Sequence, residues 1–189
     1  NTPTPAHAKF SLPKFVLTLT VFVVVWLVAM LSILGQDSLT TMGAFFSKAA
    51  FLTIGGAYAV LPYVYQGAVD QYGWLTGAQM MDGLALGETT PGPLIMIVTW
   101  VGYLGGVAKG VLANSVAAGL AGAAVATFFT FLPSFMFILA GGPFVESTRD
   151  NLKYTAPLTG ITAAVVGVIL NLAVFFAWHT FWPQAMEAV

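Results

Sequence analysis

The chain has 189 residues, of which 58% are hydrophobic and only 7% charged, and its formal net charge is −1. A soluble globular domain carries about 25% charged residues, so we predict an integral membrane protein. The near-neutral balance offers no basic excess for nucleic acid. The absence of cysteine excludes disulfides, thiolate metal sites and thiol catalysis.

The first predicted element is a transmembrane helix over the charge-free apolar run Phe15–Gln36. About 20 apolar residues cross the hydrocarbon core, and this run is too long for the core of a signal peptide. The polar, proline-rich residues 1–13 before it are interpreted as a tail or linker. We assign residues 14–183 to one membrane domain and residues 184–189 to a C-terminal tail.

The second apolar segment, Leu39–Gln66, is interrupted. It contains Lys48 and the pair Gly55-Gly56, and this pattern predicts two short helices rather than one straight one. The polar stretch Val69–Gly73 that follows is predicted to be a loop.

The third segment repeats this design between Trp74 and Gly106. Its first run ends at Thr89-Thr90-Pro91-Gly92-Pro93. A helix from Pro93 to Gly106 would be only about 21 Å long at ~1.5 Å per residue, too short to cross alone. Two half-helices that meet at a Gly/Pro break are therefore predicted, either as a broken span or as a re-entrant hairpin.

Two long runs complete the chain. Gly110–Ala140 contains Pro133 and would be about 46 Å long as a helix, so it must tilt, kink or contain a turn. Tyr154–Pro183 is predicted to be the last span. The fold class is thus an all-α polytopic membrane protein with about five spans, two of them broken or re-entrant.

Orientation is predicted from the basic residues. Lys9 and Lys14 flank the first span, and Arg149 and Lys153 flank the last. Both pairs fall on one side of the membrane whether the two interrupted segments are broken spans or hairpins. The positive-inside rule then places the N-terminus in the cytoplasm, although Lys109 falls on the other side.

The break at residues 89–93 is the main candidate for a binding site. Non-helical backbone at membrane depth is costly unless it is buried or lines a wet cavity, and paired breaks mark binding sites in transporters. Pro93 suits the first position of a helix, whose free N–H groups bind anions. Thr89 and Thr90 add hydroxyl donors, Gly92 allows close approach to the backbone, and the Gly55-Gly56 break is similar. The alternatives are a simple kink and a helix-packing contact.

Three charged residues lie near these breaks. Glu88 and Asp82 are candidates for proton or charge coupling, since intramembrane carboxylates are functional hypotheses by default. They lie six residues apart, on different helix faces, which does not suit a paired acid and base. Lys48 is a candidate to pair with an anion or with Glu88. Structural hydrogen bonding of the carboxylates and snorkelling of Lys48 to the interface are the alternatives.

Three stretches, Phe45–Val64, Tyr72–Thr76 and Asp82–Gly106, resemble the chromate ion transporter family in the same order. The resemblance is to the C-terminal half of a long-chain member or to a single-domain short-chain member. It implies that this domain acts with a second homologous one, either a second copy or a missing N-terminal half.

The resemblance also implies efflux of chromate, a tetrahedral dianion similar to sulfate, across the plasma or inner membrane. Two alternatives remain: transport of a lipid-linked phosphate, and a non-transporting subunit that scaffolds a partner half. No cofactor or metal is expected, and an intramembrane enzyme is disfavoured because no HExxH, GxSxG or cysteine nucleophile is present.

Overall fold

A computed structural model describes residues 11–52, 60–90 and 92–148, with scattered positions between 160 and 181. All regular secondary structure in this part of the chain is helical, which confirms the all-α prediction. Gly55, Gly56 and Pro91 lie outside the described residues, as does most of the predicted last span.

Six α-helices follow one another along the described chain. They are α1 (Leu12–Ser32), α2 (Asp37–Leu52), α3 (Leu61–Tyr65, continued by a π-helical turn Gln66–Gln71), α4 (Gly77–Glu88), α5 (Pro93–Ala108) and α6 (Ser115–Thr148). Among the described residues, two helices are long and apolar enough to cross a membrane, namely α1 and the Ser115–Pro143 part of α6. The prediction of a loop over Val69–Gly73 is wrong in its first half, because the π-helical turn extends to Gln71.

The first span begins earlier than predicted, at Leu12, and ends earlier, at Ser32, because the chain turns at Gly35. This glycine has φ +96°, in the left-handed region that glycine adopts most easily. The Thr40 hydroxyl donates to the Ile33 carbonyl across the turn, at 2.9 Å. Asp37 then begins α2, where a carboxylate in the first turn is favoured by the helix dipole.

Helices α2 and α3 form a first helical hairpin. The rings of Phe45 and Tyr63 stack with centroids 4.9 Å apart, and Phe46 stacks on Trp74 at 5.9 Å. The Lys48 ammonium lies 5.5 Å from the centroid of the Tyr63 ring, whereas Phe45, one turn earlier in α2, also contacts Gly67, one turn later than Tyr63. Helix α3 and its π-helical continuation therefore run antiparallel to α2.

Helices α4 and α5 form a second hairpin in the same way. A capping box begins α4: the Gln79 backbone N–H donates to the Thr76 hydroxyl, and the Thr76 N–H donates to the Gln79 side chain. The indole of Trp100 packs against Gly83, with no room for a Cβ there. Residues 83 and 100 would lie about 25 Å apart in one straight helix, so the break at 89–92 is a fold-back.

Helix α5 packs against α6 along a seam of small residues. Cβ atoms added at Gly102 or Gly106 would collide with the backbone of Gly122 or Ala118. Such residues let two membrane helices approach closely. The hydroxyls of Thr99 and Thr127 are 2.8 Å apart farther along the seam, so the two helices run antiparallel.

Helices α1 and α2 also pack against α6, farther toward its C-terminal end. The rings of Trp26 and Phe129 meet edge to face at 6.3 Å, and Phe51 meets Phe137 at 5.6 Å. Since Gly43 also abuts Phe129, α2 runs parallel to α6.

The direction of α1 follows from its contacts with α2. The indole of Trp26 donates a hydrogen bond of 2.8 Å to the Ser47 hydroxyl. By contrast, Ile33, at the end of α1, contacts Thr40 and Gly43, earlier in α2. Helix α1 is therefore antiparallel to α2 and, since α2 is parallel to α6, antiparallel to α6. The start of α1 and the end of α6 therefore lie on the same side of the helix bundle. Helix α6 continues through Pro133 without a turn.

Candidate functional site

Helices α4 and α5 are each too short to cross a membrane alone. At ~1.5 Å per residue, the 12 residues of α4 and the 16 of α5 are about 18 and 24 Å long, short of the ~30 Å hydrocarbon core. The start of α2 adjoins the end of α1, and the end of α5 adjoins the start of α6. The connection between α4 and α5 lies at the opposite end of its hairpin.

The start of α5 is built around Gly92. This residue has φ +86° and ψ +61°, a left-handed conformation that costs other residues about 1–2 kcal/mol. An added Cβ would have room, with Ile95 Cγ2 the nearest atom at 3.9 Å. Glycine is therefore required here by the backbone angle and not by crowding.

The first turn of α5 receives no side-chain cap from its own N-cap residue. Pro93 has no N–H, and Gly92 has no side chain that could cap the helix. The start of α4, by contrast, is closed by Thr76 and Gln79. The positively polarised end of α5 therefore faces the connection uncapped by its own N-cap residue, an arrangement suited to an anion.

Thr89 and Thr90 close the end of α4. Both hydroxyls donate to the carbonyl oxygen of Leu86, at 2.8 and 3.2 Å. The sequence predicted these hydroxyls as donors to a ligand. In this conformation their protons satisfy the helix end and only oxygen lone pairs face outward, so each hydroxyl must rotate before it donates to an anion.

The two carboxylates of α4 lie on its exposed surface. The buried positions of this helix are Met80, Gly83 and Gly87, whereas Asp82 and Glu88 are exposed. Within the described residues, no group of three His, Asp or Glu side chains is placed to hold a metal ion.

Lys48 belongs to the other hairpin. It lies 11 residues after Asp37, about 16 Å along α2, and its Nζ atom is 5.5 Å from the centroid of the Tyr63 ring. The structure thus groups Thr89, Thr90, Gly92 and Pro93 around one connection, and it places Lys48 near the closed end of the neighbouring hairpin.

Sequence reasoning missed two residues that shape these hairpins, Tyr63 and Trp100. Both belong to apolar runs in which aromatic residues are ordinary packing residues. The sequence features that come nearest to indicating their roles are two glycines. Gly67 leaves room for Phe45, on which Tyr63 stacks, and Gly83 leaves room for the Trp100 indole. A glycine inside an apolar helix can mark close packing, but its partner is not visible in the sequence.

Comparison with known proteins gives consistent relatives. The family profile described as "Chromate transporter" matches residues 40–189. A chromate transport protein of Cupriavidus metallidurans is 34% identical over 148 residues, 78% of this chain and 34% of that protein. A chromate transport protein of Pseudomonas aeruginosa is 40% identical over 135 residues, 71% of this chain and 29% of that protein.

A third relative is shorter. An uncharacterized transporter of Bacillus subtilis is 28% identical over 135 residues, which are 71% of this chain and 67% of that protein. The matched region covers about a third of the length of the chromate transport proteins. No solved structure matches the chain.

Proposed function

This helical membrane protein belongs to the chromate transporter family, and from that premise we propose that it exports chromate or a similar tetrahedral oxyanion such as sulfate. It acts as one half of a paired transporter in the plasma membrane. The observation that carries this proposal is the start of α5, which its own N-cap residue leaves uncapped beside a fold-back of the chain, in a protein whose relatives are chromate transport proteins.

The lengths of the relatives support the pairing. The 148 matched residues are 34% of the Cupriavidus protein, which is therefore about 435 residues long. The 135 matched residues are 67% of the Bacillus protein, which is therefore about 200 residues long. The family thus contains members near this chain's 189 residues and members about twice as long, as expected if two such domains form one transporter.

The anion site of the proposal lies where the two hairpins close. The N–H groups after Pro93 and the rotated hydroxyls of Thr89 and Thr90 replace part of the hydration shell of the dianion. Lys48 supplies positive charge. Gly92 supplies the backbone turn before Pro93. Gly55, Gly56 and Pro91, which lie outside the described residues, are proposed as further members of the site.

Glu88 is proposed to couple charge or protons to transport, and Asp82 is the second candidate. An ionised Glu88 beside the site would repel a dianion, so the anion binds best when Glu88 is protonated or paired with a cation. Transport that depends on Glu88 would show that its charge or its proton takes part in anion movement.

The direction of transport follows from the charge of the substrate. A cell interior about 100 mV negative favours loss of each negative charge by ~2.3 kcal/mol, so a dianion gains ~4.6 kcal/mol on leaving. Outward movement therefore needs no further energy source. With Lys14 at the start of α1 and the end of α6 on the same side, the positive-inside rule places that side in the cytoplasm.

The test is chromate uptake into inverted membrane vesicles that contain this chain, under an interior-positive potential and with sulfate as competitor. We expect accumulation that Thr89→Val or Glu88→Gln blocks. Accumulation only after co-expression of a second homologous domain would make this chain an obligate half. No accumulation in either case would reject chromate as substrate.

A further inference from the structure

Three side chains stack in a row between the arms of the first hairpin. The rings of Phe45 and Tyr63 are nearly parallel, with an interplanar angle of 11° and centroids 4.9 Å apart. The Nζ atom of Lys48 lies 5.5 Å from the Tyr63 centroid. This distance is within the range of a cation–π interaction.

The base of this stack is held firmly. Phe45 is buried, and its ring meets Phe46, Tyr72 and Trp74 edge to face at 5.1–5.7 Å. Its edge fits against Gly67, where any Cβ would collide with the ring. Because Phe45 cannot move freely, the ring that stacks on it has a defined place, and so does the ammonium group beside that ring.

The position of Lys48 makes this contact significant. The residue lies about 16 Å along α2, roughly half the ~30 Å hydrocarbon thickness. A long flexible lysine at such depth otherwise turns its head group toward the interface. The face of an aromatic ring attracts the cation, and it brings no negative charge that would cancel the lysine's charge or compete with an incoming anion.

We propose that Tyr63 is a positioning residue that holds the Lys48 ammonium where the transported oxyanion binds. This inference rests on the proposed function. Tyr63 acts through Lys48 and does not itself contact the anion. Its ring face is the part that matters, so phenylalanine can replace it and an aliphatic residue cannot.

The experiment measures KM and maximal rate for chromate in inverted vesicles for Tyr63→Leu, Tyr63→Phe, Lys48→Met and the double variant Tyr63→Leu/Lys48→Met. A cation–π contact corresponds to roughly a 3- to 30-fold change in binding. We expect Tyr63→Leu to raise KM by that factor, Tyr63→Phe to stay near the wild type, and the double variant to match Lys48→Met alone. Tyr65→Leu, two residues away on the same helix, is the matched control and should leave KM unchanged.

Three results would overturn the inference. They are an unchanged KM in Tyr63→Leu, an equal defect in Tyr63→Phe, and a defect in the double variant equal to the product of the two single defects. Chromate-induced thermal stabilisation of the purified variants in detergent gives a second readout that does not need transport. If the wild-type chain neither transports nor is stabilised by chromate, the proposed function itself fails, whereas a wild-type response with no dependence on Tyr63 rejects only the positioning role.

Discussion

The indole Nε1 of Trp100 donates a hydrogen bond of 2.9 Å to the main-chain carbonyl oxygen of Gln79. This bond joins α5 to the first turn of α4 and fixes the two arms of the second hairpin. Trp100→Phe keeps an aromatic ring against Gly83 but removes the donor. We expect a loss of about 1 kcal/mol in the free energy of unfolding, measured by denaturant titration in detergent micelles. An unchanged midpoint would mean that packing alone closes the hairpin.

The glycine seam between α5 and α6 gives a prediction with a built-in control. A Cβ at Gly102 would lie 2.5 Å from Ala126 Cβ and 2.6 Å from the Gly122 carbonyl oxygen. Gly102→Ala should therefore destabilise the protein by about 1–3 kcal/mol, as overpacking does. Gly141→Ala, where an added Cβ meets nothing within 4 Å, should be neutral or stabilising by up to about 1 kcal/mol. Equal thermal stability of the two variants would contradict the close approach of α5 and α6.

Two glycines with left-handed backbone angles allow the effect of backbone strain on stability to be distinguished from an effect on transport. Gly92 and Gly110 have φ +86° and +57°, and an added Cβ is crowded at neither. Replacement of either glycine by alanine should lower the free energy of unfolding by about 1–2 kcal/mol. Only Gly92→Ala should also reduce transport, because it reorients the start of α5. The comparison needs unfolding and chromate-uptake measurements on both variants, and similar uptake by the two would remove Gly92 from the site.

The hydroxyls of Thr89 and Thr90 have matched counterparts on α1. Thr18 and Thr20 donate to the carbonyls of Lys14 and Val16, both at 2.9 Å, on a helix with no buried residue. The double variant Thr89→Val/Thr90→Val should abolish transport while the protein still folds. Thr18→Val/Thr20→Val, with the same chemical change, should transport normally. Full activity of the first variant would exclude these hydroxyls from the anion site.

The absence of cysteine makes the topology directly testable. Single cysteines at Ser11, Gln36 and Ala113 probe the start of α1 and the two connections that the structure places on the opposite side. A membrane-impermeant maleimide added to intact cells should label Gln36→Cys and Ala113→Cys. Ser11→Cys should react only after permeabilisation, if the N-terminus is cytoplasmic. Labelling of Gln36→Cys and Ala113→Cys from opposite sides would contradict the hairpin arrangement.

The local sequence predicted the helix ends at the break between α4 and α5 with fair accuracy. The motif Thr89 to Pro93 predicted that one helix stops and another begins, and α4 ends at Glu88 while α5 starts at Pro93. Proline at the first helical position and glycine before it act through their own backbone angles. Such signals can be read without knowledge of the neighbours. Asp37, the first charged residue after the predicted span, begins α2, and the first helix stops before the turn at Gly35.

The scarcity of charge and the length of the apolar runs by themselves determined that this protein is helical and lies in a membrane. The order of the motifs determined that it is a relative of the chromate transporters. Only the tertiary structure decided that the interrupted segments are hairpins rather than broken spans. A break sets where a helix ends but not the direction that the chain then takes. That direction depends on contacts between distant residues, such as Phe45 with Tyr63 and Trp100 with Gln79, and no local pattern encodes which partners will meet.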